Sequence, residues 1–166
     1  MEFVVFLIIL TILVAVIALI KNKIKNEPLT RLIIIRTFLL SFLVISVGIG
    51  SIWAFIGHAF LATQVAESIG WATGSPFQLE VAFANLAIGI LGILCYFFRD
   101  NFWVATVIAS SIFLLGAAYV HVINIISYSN YSAGNAGTIF FMDIVGPIIL
   151  IILLILYKFI ERQQID

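Results

Sequence analysis

Residues 58–80 read HAFLATQVAESIGWATGSPFQLE. This is the longest interruption of hydrocarbon-like sequence in the first half of the chain. It holds His58, Glu67 and Glu80, the tryptophan Trp71 and a Gly74-Ser75-Pro76 turn. Both flanks are apolar enough to cross a bilayer, so the stretch must connect two spans. At ~1.5 Å per residue, Arg36 to His58 already covers about 33 Å, a whole hydrocarbon core. Ala59 to Ile69 must then turn along the surface. The expectation is a short interfacial helix ended by Gly70, with Trp71 at headgroup level. Ser75, Pro76 and Gln78 have the spacing of an N-cap, a first helical residue and a capping-box partner, so the third span is expected to start there.

Composition agrees with this reading. The 166 residues are 64% apolar and 10% charged, and mean hydropathy is +1.26. Soluble domains are about 45–50% apolar and about 25% charged. A chain of this length cannot hide so much apolar surface from water, so its solvent must be lipid. Zero formal net charge argues against a nucleic-acid partner. The single cysteine, Cys95, excludes an internal disulfide and a cysteine-based metal site. The expected partners are the lipid bilayer and, as an open alternative, a second copy of the chain.

Five apolar segments emerge, at about 3–20, 33–58, 76–98, 102–126 and 138–160. The fold class expected is all-α, a single membrane domain of five transmembrane helices. The first segment lacks the basic front and cleavage site of a secretory signal; Lys21, Lys23 and Lys25 follow it instead. Gly48, Gly50 and Gly57 in the second segment permit close packing or a bend, and alanines and glycines make the third helix thin. With five spans, all eight Lys and Arg residues fall on one side, and the 61–75 and 127–137 connections contain none. The positive-inside rule then sets the N-terminus outside and the C-terminus inside. Asn130-Tyr131-Ser132 is formally a glycosylation sequon, a short pattern that often arises by chance.

Threading the spans brings His58, Glu80, His121 and Asp143 to a similar depth near the outer side, each from a different helix. Asn85, Asn124 and Asn135 lie near that layer. Ionisable groups inside spans are costly and usually face the bundle interior or a wet cavity. Histidine and carboxylate suit a divalent metal ion, with Glu80, His121, Asp143 and His58 as the ligand candidates, and they equally suit a proton relay. Each residue also has an ordinary reading. His58 can be an interfacial histidine, Glu80 can complement its own helix dipole, and His121 and the asparagines can bond neighbouring helices. Asp143 is harder to dismiss, because Pro147 four residues later removes the helical partner of its backbone carbonyl. The aromatics Trp53, Phe55, Phe60, Trp71 and Phe77 are expected to form an interface belt or packing. No nucleotide loop, haem-attachment motif, hydrolase elbow or zincin helix is present.

The blocks GWxxGSPFQxE (residues 70–80), GAAxxH (116–121) and GNAGxxxxxD with a following proline (134–147) together resemble a family of small, uncharacterised prokaryotic multi-pass membrane proteins. The resemblance covers roughly residues 57 to 155. Its pattern includes Trp71, Ser75, Pro76, Phe77, Gln78, Glu80, Asn85, His121, Asn135, Asp143 and Pro147. It implies a bacterial or archaeal cell membrane as the location and carries no assigned activity. Three functions therefore stay open: a cation- or proton-linked transporter, channel or binding protein; a metal-dependent membrane enzyme working at the outer face; and a structural or accessory subunit whose polar groups only lock helices together.

Overall fold

A computed structural model describes residues 2–164. Among them every regular element is a helix. We number them α1 (Glu2–Ile24), α2 (Arg31–Phe60), α3 (Ala62–Ile69), α4 (Phe77–Leu94), α5 (Asn101–Tyr128), α6 (Ala133–Ala136) and α7 (Thr138–Arg162). The five long ones, α1, α2, α4, α5 and α7, are each long and apolar enough to cross a membrane. In the most apolar stretch of α1 only 17% of residues are buried, and in no other long helix does the share exceed 33%. Exposed apolar side chains far outnumber buried ones, the reverse of a water-soluble bundle. That exposure points to lipid as the surrounding solvent.

Local chemistry explains the helix ends. Thr30 caps α2, its hydroxyl accepting from the Ile33 amide at 3.3 Å. At the far end of α2, Leu61 leaves helical geometry (φ −122°) and the chain restarts as α3. Gly70 stops α3 in the left-handed region (φ +77°). Its amide bonds to Glu67 O at 3.1 Å and the Trp71 amide to Ala66 O at 2.9 Å, the paired bonds of a Schellman ending. A Cβ on Gly70 would also lie 2.5 Å from the Ser132 hydroxyl. The expected capping box at Ser75 does not form. Helix α4 begins at Phe77 without a side-chain cap, because Gln78 turns into the bundle, where it is buried, instead of reaching back to Ser75.

Helix α2 is not uniform. Residues Phe42–Ile49 are wound as a π-helix between two α-helical halves. This stretch packs on α4 at Gly48, and a Cβ on Gly92 would come within 2.5 Å of the Gly48 backbone nitrogen. Two backbones thus touch where only hydrogens fit between them, a packing mode suited to membranes. From α1, the buried Thr11 bonds the Ser46 hydroxyl at 2.8 Å, which ties that helix to the π stretch. The central core joins Leu39, Leu43, Val47, Ile88, Trp103, Val107, Leu150 and Tyr157. Antiparallel succession brings the ends of α1, α4 and α7 and the starts of α2 and α5 to one end of the bundle. The other end holds α3, α6 and the polar residues considered next.

Candidate functional site at the His121 end

His121 lies on the sixth turn of α5, toward its C-terminal end, and is buried. Asn135 lies in α6 and is fully buried. Asp143 lies on the second turn of α7, also buried. Helix α6 folds back over the end of the bundle after Ser129 turns the chain in the left-handed region (φ +50°). That turn sets Asn135 against His121.

Their hydrogen bonds can be counted atom by atom. The Asn135 amide nitrogen donates to Asn130 O at 2.8 Å and, more weakly, to His121 O at 3.4 Å. Its two donors therefore face carbonyls, so its Oδ1 must be the acceptor for His121 Nδ1, 2.8 Å away. That bond requires a proton on Nδ1. The remaining ring nitrogen, Nε2, faces Asp143 Oδ2 at 3.7 Å. The ring is sandwiched as well: Trp71 lies nearly parallel to it at 6.4 Å, and Phe140 meets it edge-on at 6.2 Å. The tautomer and the orientation of the imidazole are thus both set by its neighbours.

A second layer holds this arrangement in place. Asn130 donates from its side chain to Ile69 O at 2.8 Å, and its Oδ1 accepts from the Ser132 amide at 3.1 Å. One asparagine so links the end of α3 to the connection between α5 and α6. Trp71, Asn124, Tyr128 and Asn130 line a shallow mouth at the surface. Trp71 belongs both to the mouth and to the wall of the histidine, so the imidazole lies one side chain away from the surface.

The other residues expected at this depth do not join the pair. Glu80 is exposed and forms no ion pair or hydrogen bond among the described residues. Asn85 and Asn124 donate back to their own helices, at Val81 O (3.0 Å) and Val120 O (2.9 Å). His58 is half-buried, and its Nδ1 has no hydrogen-bond partner among the described residues. Among those residues no three of His, Cys, Asp and Glu gather as a metal would require. Of the four candidate ligands the fold therefore joins two. The carboxylate of Asp143, rather than its proline-freed carbonyl, is what faces the histidine.

Asn130 and Trp71 are the contributors that sequence reasoning passed over. Asn130 read as a chance sequon and Trp71 as an interface anchor. The signal available was the placement of both in segments without Lys or Arg, with Gly70 beside Trp71 and Gly134 four residues after Asn130.

Residues 1–163 match the family described as "Family of unknown function (DUF6790)", well beyond the 57–155 stretch that carries the recognisable blocks. No curated protein and no solved structure matches the chain.

Proposed function

This chain belongs to that family of unknown function, and from its own residues we propose that it is a proton-linked multi-pass membrane protein whose carrier group is the His121–Asp143 pair. The observation that carries the reading is the forced Nδ1–H tautomer. With Nδ1 committed to Asn135, only Nε2 and the carboxylate remain to exchange a proton. One proton between them leaves the pair neutral overall, either as imidazolium and carboxylate or as imidazole and carboxylic acid. Adding a second proton or removing the first leaves a net charge inside the span, which is expensive there.

The orientation we adopt has the N-terminus outside, the C-terminus inside and the His121 end facing out. The even segregation of Lys and Arg to the opposite end supports it. Helix α3 then lies along the outer interface: Ala66 and Ile69 turn inward while Thr63, Gln64, Glu67 and Ser68 stay exposed. The membrane is the plasma membrane of a prokaryotic cell. Protons reach the pair from the outer mouth past Trp71.

The test uses protein reconstituted in vesicles loaded with a pH-sensitive dye. An imposed pH gradient should drive proton movement above that of empty vesicles, and Asp143→Asn should abolish it. Equal rates in wild-type and Asp143→Asn vesicles would remove the pair from any proton path.

A second reading has its own observation, the Asn130–Asn135 linkage of three segments. In it the cluster only locks α3, α5, α6 and α7 together. Asp143→Asn then lowers stability, and wild-type vesicles move no more protons than empty ones.

A further inference from the structure

At the end of the bundle opposite His121, α1 and α2 diverge around a groove of ≈ 520 Å³. This is within the range of small-molecule sites, about 300–1,000 Å³. Its lining changes in character with depth. On α2 the lining passes from Arg36 to Leu40 to Val44, successive steps of four residues down one face. On α1 it passes from Asn22 to Ala18 to Val14 in the same sense. Arg99, from the connection after α4, completes the rim. The groove is therefore basic at the end of the bundle, carries Thr37 and Ser41 part-way down, and is apolar at Val44 and Val14 about 12 Å farther in.

The two guanidiniums make no close ion pair inside the protein, although Glu161 on α7 lies within electrostatic reach of Arg36. Among the described residues neither Arg36 nor Arg99 lies within 4.0 Å of a carboxylate, since the only ion pairs are His121–Asp143 and Lys158–Glu161. Neither donates a hydrogen bond there either. Of the groove's lining residues Glu27 is the one carboxylate against two arginines. Arginine suits phosphate through its planar fork of donors.

We propose that this groove binds an anionic phospholipid of the adjacent leaflet, its phosphate at Arg36 and Arg99 and the start of one acyl chain along Leu40, Val44, Ala18 and Val14. The charge of the rim matches the headgroup, and the change from polar to apolar follows the order of groups along a lipid. A free phosphate would use the rim and leave the floor without an occupant. The absence of a side chain beyond Cβ at Ala18 provides room for the chain. The inference rests on the bundle spanning a bilayer and is independent of the proton pair.

Native mass spectrometry of the full chain in a nonionic detergent tests it, with phosphatidylglycerol and phosphatidylcholine of identical acyl chains supplied in equal amounts. Phosphatidylglycerol should be retained roughly fivefold or more over phosphatidylcholine, as expected from about one or two well-placed basic groups. Arg36→Ala with Arg99→Ala should reduce the ratio toward one, while Arg162→Ala, outside the groove, should leave it unchanged. Ala18→Trp should lower retention of phosphatidylglycerol with the arginines intact. Glycerol phosphate in excess should fail to displace the lipid. Equal retention of the two lipids by the wild-type chain would overturn the proposal, and this arm needs no variant to fold. Displacement by glycerol phosphate would also overturn it, since the headgroup anion alone would then be the ligand. So would a preference that survives loss of both arginines or falls equally with Arg162→Ala. Recovery of the chain in water without detergent would instead strike at the membrane reading itself, and the vesicle assay reports on the proton pair separately.

Discussion

The His121 end and the Arg36 end of the bundle are made by the same long helices, yet they treat their polar groups in opposite ways. At the His121 end, neutral amides do the work. Asn135 uses both its donors and its acceptor within the protein, and Asn130 ties its own loop to α3. The buried carboxylate there, Asp143, faces the buried imidazole of His121. At the Arg36 end, charges are numerous and mostly left open to the surroundings, with Lys158–Glu161 the single ion pair among the described residues. Backbone groups are satisfied there by Trp103, whose fully buried indole donates to Cys95 O and Phe98 O, both at 2.8 Å. Those are carbonyls that the end of α4 leaves without helical partners.

The contrast shows what each arrangement is suited to. A closed network fixes a tautomer and an orientation, which a proton carrier needs. Open guanidiniums above an apolar groove remain available to a ligand. A closed network also concentrates stability, so the two ends should respond differently to substitution.

The largest effect is expected from Asn135→Ala. It leaves the buried His121 Nδ1 without its partner, at about 1–3 kcal/mol, and removes a second, part-buried bond at Asn130 O. Thermal unfolding in detergent should show the loss, and an unchanged midpoint would mean the network contributes nothing. Gly92→Ala comes next. Its Cβ meets backbone rather than a flexible side chain, so α2 and α4 must separate, at about 1–3 kcal/mol. Crosslinking of cysteines introduced across this contact should slow as well. At the opposite end, Trp103→Phe keeps the aromatic packing against Tyr157 but removes the indole donor. A cost of about 1 kcal/mol in the same unfolding assay would show that the Arg36 end depends on one shared donor. The smallest effect is expected from Glu80→Gln, within about 0.5 kcal/mol, with proton movement in vesicles unaltered. A large loss there would bring Glu80 into the site and break the division between a closed pair and isolated charges.

How much of this was legible in the chain depends on the kind of information required. The five apolar segments fall on the five long helices, and the surface turn after His58 became the break at Leu61 followed by α3. Gly70 stopped that helix as expected. These features follow from hydropathy, length and backbone preference, all local properties. The Ser75–Gln78 box failed for a tertiary reason: burying Gln78 against the bundle left it unable to reach back. The π-helical stretch of α2 had no sequence signature beyond Gly48. Its close contact with Gly92 belongs to a different helix.

Depth and azimuth divide the candidate site in the same way. Counting residues along each span brought His58, Glu80, His121 and Asp143 to one layer, because rise per residue is nearly constant in a helix. Counting does not say which way a helix is rotated about its own axis. Packing decided that, turning His121 and Asp143 toward each other while Glu80 faces outward. The sequence by itself determined five apolar helices, the segregation of basic residues and a polar layer at the other end, because hydropathy and charge add up along the chain. Only the tertiary structure decided that two of the four ionisable residues meet and that Asn135 sets the proton on one of them. A hydrogen bond depends on relative rotation and on ångström distances between segments far apart in the chain.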